Sequence, residues 1–171
     1  MDGLDRLIRR ILAVSLCAAF AVLAMMLLFD TTGEAEEETM ECYVVCQPND
    51  YVNARMKPSR RSTSLGRFDT GDRLYTDGIE KNGFLHIVDA GLEMDEAWIY
   101  SGYIVFDRPE WMNRAAVVTC KGRLAARKNV DGKIRKWLKT GSKVRVFWWA
   151  SEWTVTNVGF VKSEYLEMEG E

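Results

Sequence analysis

The side chains that could carry out chemistry in this chain are few. Its 171 residues include one histidine and four cysteines. The histidine, His86, lies in the strand-like stretch FLHIV. Nucleophilic catalysis of the Cys–His or Ser–His kind needs a base with an orienting partner, on a scaffold that no other segment supplies. The sequence has no glycine-rich phosphate loop, and its cysteines are too scattered for a four-ligand zinc site. We therefore predict a non-enzyme without a metal or other cofactor.

The three cysteines after residue 40 allow two interpretations. Cys42 and Cys46 are four residues apart in a predicted strand, so their Cα atoms would lie about 13 Å apart, beyond the roughly 7 Å that a disulfide spans. Cys46 and Cys120 each lie just before one half of an internal repeat, so a disulfide between them would join the two entry strands. An exported protein can be oxidised in this way. Three free buried thiols are the alternative.

Positive charge is concentrated in residues 121–145, which contain ten Lys and Arg residues and one acid. Residues 109–171 carry a formal charge of +5 and residues 42–108 a charge of −2, by counting Lys, Arg, Asp and Glu. A positive face of this size can attract an anionic polymer, and an ordinary solvated face is the alternative. The candidate basic contacts are Lys128, Lys133, Arg135 and Lys136.

Aromatic side chains in the same half could add a ligand platform. Trp148 and Trp149 are neighbours in a predicted strand, so one should point to the interior and the other to solvent. An exposed tryptophan beside a basic face suits a glycan or peptide contact, and packing against the first half of the chain is the alternative. The candidate aromatic contacts are Trp148, Trp149, Trp153 and Tyr165.

These residues belong to the second of two similar stretches. VNARMKPSRRSTSLGRFDTGDRLYT begins at Val52, and LAARKNVDGKIRKWLKTGSKVRVF begins at Leu124. Each has an Ala-Arg start, a basic loop, a hydrophobic residue before Thr-Gly, and a strand-like alternation, and each closes with an aromatic stretch at residues 98–104 or 160–166. Short segments rich in Val, Tyr, Trp and Phe predict an all-β fold of two small antiparallel barrels. We expect the barrels to pack against each other through residues 106–111.

The order of these motifs resembles the bacterial SH3 (SH3b) family. The first copy has V-N-A-R-x-x-P-S, L-G-R-F-x-T-G-D and W-I-Y-S-G-Y-I, and the second has L-A-A-R, W-L-K-T-G-S-K-V-R-V and G-F-V-K-S-E-Y-L. The resemblance implies SH3-like barrels at 42–108 and 109–171 that act in cell-wall targeting or protein binding, here without an attached hydrolase. Ala97 stands where the family usually has glycine, and Phe84 and Phe160 replace usual tryptophans.

The first forty residues have a different character. Residues 11–29, ILAVSLCAAFAVLAMMLLF, contain no charge, glycine or proline, and as a helix they nearly match the roughly 30 Å hydrocarbon layer. Arginines precede this stretch and acids follow it, which favours a cytoplasmic N-terminus. We predict cytoplasmic residues 1–10, one transmembrane helix at 11–29 and an acidic tether at 30–41. A cleaved signal peptide is the alternative, and a bulky residue before Cys17 argues against lipid attachment there.

Together these features predict a membrane-anchored binding module outside the cytoplasm, in a Gram-positive bacterium. Its partner would be peptidoglycan or another cell-wall glycan or peptide. The alternative is a non-catalytic, protein-interaction subunit of an envelope assembly of the conjugation or secretion type, which is a family-level association. Nucleic-acid binding through the basic face would be strongly salt-dependent and fits poorly with export.

Overall fold

The computed structural model describes residues 39–90 and 96–170. The predicted cytoplasmic segment 1–10, the predicted span 11–29 and most of the acidic tether 30–41 lie outside the described residues. Within the described ranges, no helix is long and apolar enough to cross a membrane.

The described chain is nearly all β and forms two antiparallel sheets of seven strands each, so the all-β prediction is confirmed. The first sheet contains β1 (Met40–Val44), β2 (Val52–Arg55), β3 (Ser64–Phe68), β4 (Arg73–Lys81), β5 (Phe84–Asp89), β6 (Ala97–Tyr100) and β7 (Ile104–Val105), with the 3-10 helix η1 (Ser101–Tyr103) before β7. The second contains β8 (Glu110–Val118), β9 (Arg123–Arg127), β10 (Ile134–Lys139), β11 (Lys143–Trp149), β12 (Trp153–Thr156), β13 (Gly159–Lys162) and β14 (Leu166–Met168), with η2 (Ser163–Tyr165) before β14. We call these halves the first module and the second module.

The two modules have the same topology. The strand order is β3-β2-β6-β5-β4-β1-β7 in the first and β10-β9-β13-β12-β11-β8-β14 in the second, so each strand occupies the place of its counterpart seven strands earlier. A 3-10 helix precedes the last strand in both. The repeat in the sequence therefore corresponds to a repeat in strand order.

The repeated threonine closes the same turn in both modules. The Thr70 hydroxyl donates to the carbonyl oxygen of Cys46 at 3.2 Å, and the Thr140 hydroxyl donates to the carbonyl oxygen of Cys120. The glycine after each threonine has a positive φ, +97° and +78° respectively, which an L side chain would strain. The Thr-Gly pair thus fastens the segment before the fourth strand of each module to the segment before its second strand.

The repeated arginine holds the loop between the second and third strands. Arg55 Nη1 donates to the carbonyl oxygen of Ser62 at 2.7 Å, and Arg127 Nη1 donates to that of Gly132 at 2.9 Å. The alanine before each arginine is fully buried, where only a small side chain fits. The Ala-Arg start of each repeat therefore has a structural role in both modules.

Each module has its own apolar core, and the two modules share a third cluster. The first core includes Leu74 and Ile99, and the second includes Val146 and Val161. The shared cluster joins residues of the first module to residues of the second: Val45, Val105, Ala150, Trp153, Val155 and Phe160.

The linker contributes a polar contact between the modules, and its large apolar side chains stay exposed. The backbone N–H of Ser151 in the second module donates to the Asp107 carboxylate. Phe106 is 60% exposed and Trp111 is 51% exposed, so the apolar contact between the modules is made by the shared cluster and not by these two side chains.

The predicted disulfide does not form in the structure. Cys42, Cys46 and Cys120 are free and buried. Cys46 belongs to the core of the first module and Cys120 to that of the second, because each follows the first strand of a separate sheet. Burial, with a smaller effect of the neighbouring Glu41 carboxylate, raises the pKa of Cys42 to about 12. The structure thus has the alternative arrangement of free buried thiols.

Candidate functional site

The hairpin of β9 and β10 carries the predicted basic residues. β10 is the edge strand of the second sheet, so one side of it is not covered by another strand of that sheet. Lys128 and Lys133 lie in the loop between the two strands, Arg135 and Lys136 lie on β10, and all four side chains are exposed. The structure therefore brings these four residues together on one element, which we call the basic hairpin.

A tryptophan that the sequence reasoning did not select lies on this hairpin. Leu138 is the buried residue of β10, so Trp137 and Lys139 point to the opposite, outer side. Trp137 lies opposite the small Ala125, and Lys139 lies opposite Arg123. The indole of Trp137 is 52% exposed, and Arg123 and Lys139 lie on the same face.

Trp137 could have been found from the repeat. Leu138 is the hydrophobic residue before Thr-Gly, and its counterpart in the first module is Phe68, which is also buried. The residue before a buried strand position faces the other side. Trp137 and its counterpart Arg67 are therefore outward-facing by the alternation alone.

The charge of the basic hairpin is not neutralised within the described residues. Arg73, Lys143 and Lys162 of that part of the chain do form ion pairs, and none of them lies on this hairpin. Arg127 differs from the rest of the hairpin because its guanidinium is bound to the carbonyl oxygen of Gly132 and shapes the loop. The remaining cations of the hairpin are free to meet an anion from solution.

The predicted aromatic residues do not join the basic hairpin. Trp153 is only 2% exposed and packs in the cluster shared by the modules, so it is not accessible for stacking. Trp149 packs against the core of the second module, and Trp148 packs against the shared cluster. Tyr165 is exposed on η2. β11 and β12, which carry the three tryptophans, are separated from β10 by β9 and β13, which explains why these three side chains lie elsewhere.

The loop of the basic hairpin borders a cleft of about 260 Å³ on the first module, which we call the aromatic cleft. Tyr100 lies in its wall, with Phe84 at 5.6 Å and Tyr103 at 6.0 Å between ring centroids, both in edge-on contact. The guanidinium of Arg60 lies 4.8 Å above the Tyr100 ring, and Lys128 lines the cleft from the second module.

The aromatic cleft offers cations and hydrogen-bond donors. Of the described residues, Arg55, Arg60 and Lys128 line it, together with one acid, Asp50. Burial, assisted by the Asp50 carboxylate, raises the pKa of Tyr103, so its phenol stays protonated at neutral pH. Flat aromatic faces beside cations and donors suit a sugar ring that bears an anionic group.

The loop of the basic hairpin is docked on the first module. The backbone N–H of Val130 donates to the carbonyl oxygen of Gly102 at 2.9 Å. Asn129 is buried against the same glycine, and a Cβ at Gly102 would lie 1.8 Å from Asn129 Nδ2 and 2.7 Å from Tyr100 Cε1. Glycine at this position therefore allows the approach that places the basic hairpin next to the aromatic cleft.

The single histidine is held between an acid and a tryptophan. His86 Nδ1 lies 2.8 Å from Asp77 Oδ2, and its ring lies 4.7 Å from the Trp98 ring. Burial acts to raise the pKa of Asp77, but hydrogen bonds from His86 and from the backbone N–H of Ile79 outweigh it, so the pKa lies below the usual value. This arrangement joins β4 to β5.

Comparisons with known proteins identify no family for this chain. No family model matches the chain, and no curated protein matches it. Among solved structures, it is similar to NlpC1 from Trichomonas vaginalis, with 13% identity over 79% of this chain and 48% of that one, at a TM-score of 0.35. NlpC2 from the same organism has 12% identity over 78% of this chain and 49% of that one, at a TM-score of 0.34. The chain spans about half the length of these proteins. TM-scores this low do not establish a common fold.

Proposed function

We propose that this chain is a membrane-anchored binding module outside the cytoplasm, in which two SH3b-like barrels engage an anionic cell-wall polymer. The observation that carries the proposal is the half-exposed Trp137 between the unneutralised cations of the basic hairpin. The repeated motifs and the shared strand order support the two SH3b-like barrels, and the apolar stretch at 11–29 supports the anchor.

The chemistry of the basic hairpin favours a polymer that alternates charge and flat rings. Clustered Lys and Arg side chains raise the local concentration of an anionic chain and steer its approach. An exposed indole adds contact with a sugar face, which charge alone does not provide. Anionic wall polymers and peptidoglycan combine acidic groups with sugars, so they match both features.

The aromatic cleft extends the proposed contact surface onto the first module. Lys128 belongs to both the basic hairpin and the lining of this cleft. A polymer that crosses the loop at residues 128–133 would meet Arg60 and Tyr100 directly after the hairpin. Two adjoining surfaces on one chain would bind more tightly than either alone, since the second contact becomes intramolecular.

The experiment is co-sedimentation of the full-length chain, in neutral detergent, with Gram-positive wall sacculi at about 50 mM and about 500 mM salt. Trp137→Ala should weaken binding about tenfold at both salt concentrations, as loss of an aromatic interface anchor does. Replacing Arg123 and Lys139, which lie on the same face as Trp137, by Gln should weaken binding at low salt and have little effect at high salt, because screening already removes the contribution of charge.

Trp111→Ala is the matched control, since Trp111 is similarly exposed but lies outside the basic hairpin. It should bind like the unmodified chain. Sacculi from which the anionic polymers have been stripped separate the two contributions. Binding that depends on charge should be lost on them, and binding that depends on glycan contact should remain. Binding that is unchanged in Trp137→Ala and in the double Gln variant contradicts the proposed surface, and no sedimentation at either salt contradicts cell-wall binding.

A protein partner in an envelope assembly is the second candidate function. The observation that favours it is an aromatic cluster around the exposed Trp111, whose ring stacks on the half-buried Phe147 at 6.1 Å and meets the half-buried Trp148 edge-on at 4.9 Å. Exposed clusters of large aromatics are typical of protein interfaces. In this case Trp111→Ala, rather than Trp137→Ala, should abolish cross-linking to the partner in intact membranes.

A further inference from the structure

A second cleft lies on the other side of the docked loop. It has a volume of about 560 Å³ and is lined by residues of both modules. The first module contributes residues of β4, β5, η1 and β7, and the second contributes the loop at residues 130–131 and residues 151–153. Asn129 lines the aromatic cleft and Val130 lines this one, so the loop separates the two.

The charge of this second cleft is opposite to that of the aromatic cleft, and we call it the acidic cleft. Among the described residues that line it, four are acids and none is Lys or Arg: Glu80, Asp107, Asp131 and Glu152. Lys162, which is not a lining residue, pairs with Glu152 and neutralises that carboxylate. Glu80 accepts a hydrogen bond from the Ser101 hydroxyl at 3.1 Å, and Asp107 accepts one from the backbone N–H of Ser151. Neither bond removes the negative charge.

The lining of the acidic cleft is also partly apolar. It includes the buried residues Leu85, Ile104, Val105 and Trp153 and the exposed Phe106. The cleft therefore offers apolar contact beside its carboxylates.

We infer that the acidic cleft binds a short peptide segment that carries a cationic side chain next to apolar ones. The carboxylates favour an ammonium or guanidinium group and repel the anionic polymer that suits the basic hairpin. The apolar part of the lining accommodates apolar side chains. A peptide can carry both features, whereas a neutral glycan lacks the charge and a lone metal ion lacks the apolar part.

Calorimetric titration of the full-length chain, in neutral detergent, with acetyl-Ala-Leu-Lys-Leu-Ala-amide tests this inference. The matched probe has Gln in place of Lys. The Lys peptide should bind about tenfold more tightly than the Gln peptide, as expected for two or more partly exposed charge interactions. Replacing Glu80 by Gln together with Asp131 by Asn should remove most of that preference, an affinity loss of about tenfold for the Lys peptide alone.

The control variant carries Glu110→Gln and Glu167→Gln, which change the net charge equally but lie on β8 and β14, outside the acidic cleft. It should keep the preference for Lys. Equal affinity for the two peptides, no binding of the Lys peptide at about 1 mM, or an equal loss in the control variant overturns the inference. Thermal unfolding of each variant shows that a loss of binding is not a loss of fold. Because sacculi binding depends on other residues, this inference and the proposed function can fail separately.

Discussion

The two modules share one strand order but use equivalent positions in opposite ways. The middle residue of the 3-10 helix is Gly102 in the first module and Glu164 in the second. Gly102 receives the buried Asn129 of the second module, whereas Glu164 is exposed. The first module is thus the receiving partner at the junction, and the second supplies the loop. The two modules thus differ in function at the junction because of single residues, such as Gly102 and Glu164, while their strand order is the same.

The surfaces of the modules differ in the same manner. On the edge strand, Arg67 of the first module stacks its guanidinium 4.2 Å from the Tyr51 ring, while Trp137 at the equivalent place stays half exposed. At the end of β6, Tyr100 lines the aromatic cleft, while its counterpart Lys162 covers the Trp153 ring at 4.4 Å. The aromatic cleft is therefore formed mainly by the first module, and the basic edge strand belongs to the second.

The largest effect is expected where the modules meet. Gly102→Ala would place a methyl group on Asn129 and Tyr100, so both side chains must move, at a cost of about 2 kcal/mol of unfolding free energy. Denaturant unfolding followed by tryptophan fluorescence measures this. Glu164→Ala, at the equivalent position of the second module, should change stability by less than about 0.5 kcal/mol. Equal stability of the two variants would show that the junction does not depend on Gly102.

The next test asks whether the repeated Thr-Gly turn has the same role in both modules. Thr70→Val and Thr140→Val each remove a hydroxyl that donates to a cysteine carbonyl, and each should cost about 1 kcal/mol or somewhat more. Thr70→Val should cost at least as much, because its hydroxyl also accepts from the backbone N–H of Cys46 at 2.8 Å. Thr63→Val, at an exposed position, is the control. If only one of the two variants loses stability, the Thr-Gly turn does not have the same role in both modules.

The sequence was sufficient for the features that depend on local pattern. Alternation and the repeated Thr-Gly and Ala-Arg pairs predicted the strands and the repeat, and charge density predicted the basic hairpin. Burial at the junction of the modules could not be predicted in this way. Tryptophan is a residue type that often contacts ligands, but Trp153 lies in the shared cluster. Trp137 is exposed beside its buried neighbour Leu138, and the sequence analysis did not select it. Their exposure depends on which elements pack together, and local spacing does not specify that.

The smallest effect concerns acid stability, in which the modules should also differ. The first module has Asp77 hydrogen bonded to His86 between β4 and β5, and the equivalent positions of the second module are Phe147 and Val155. The pKa of Asp77 is lowered in the folded chain: its burial acts the other way, but the hydrogen bonds from His86 and the backbone prevail. A carboxyl whose folded pKa is depressed stabilises the fold above its unfolded pKa of about 4, and this contribution is lost as the pH falls through the folded value.

Asp77→Asn should therefore destabilise the chain near neutral pH, and its difference in stability from the unmodified chain should shrink as the pH falls through the lowered folded pKa of Asp77. Denaturant unfolding at several pH values measures the difference. Asp131→Asn, at an exposed position, should show no such trend. If the difference in unfolding free energy stays constant from neutral to acidic pH, the Asn variant loses packing and not a charge interaction. The Asp77–His86 pair would then not make the first module more acid-sensitive than the second.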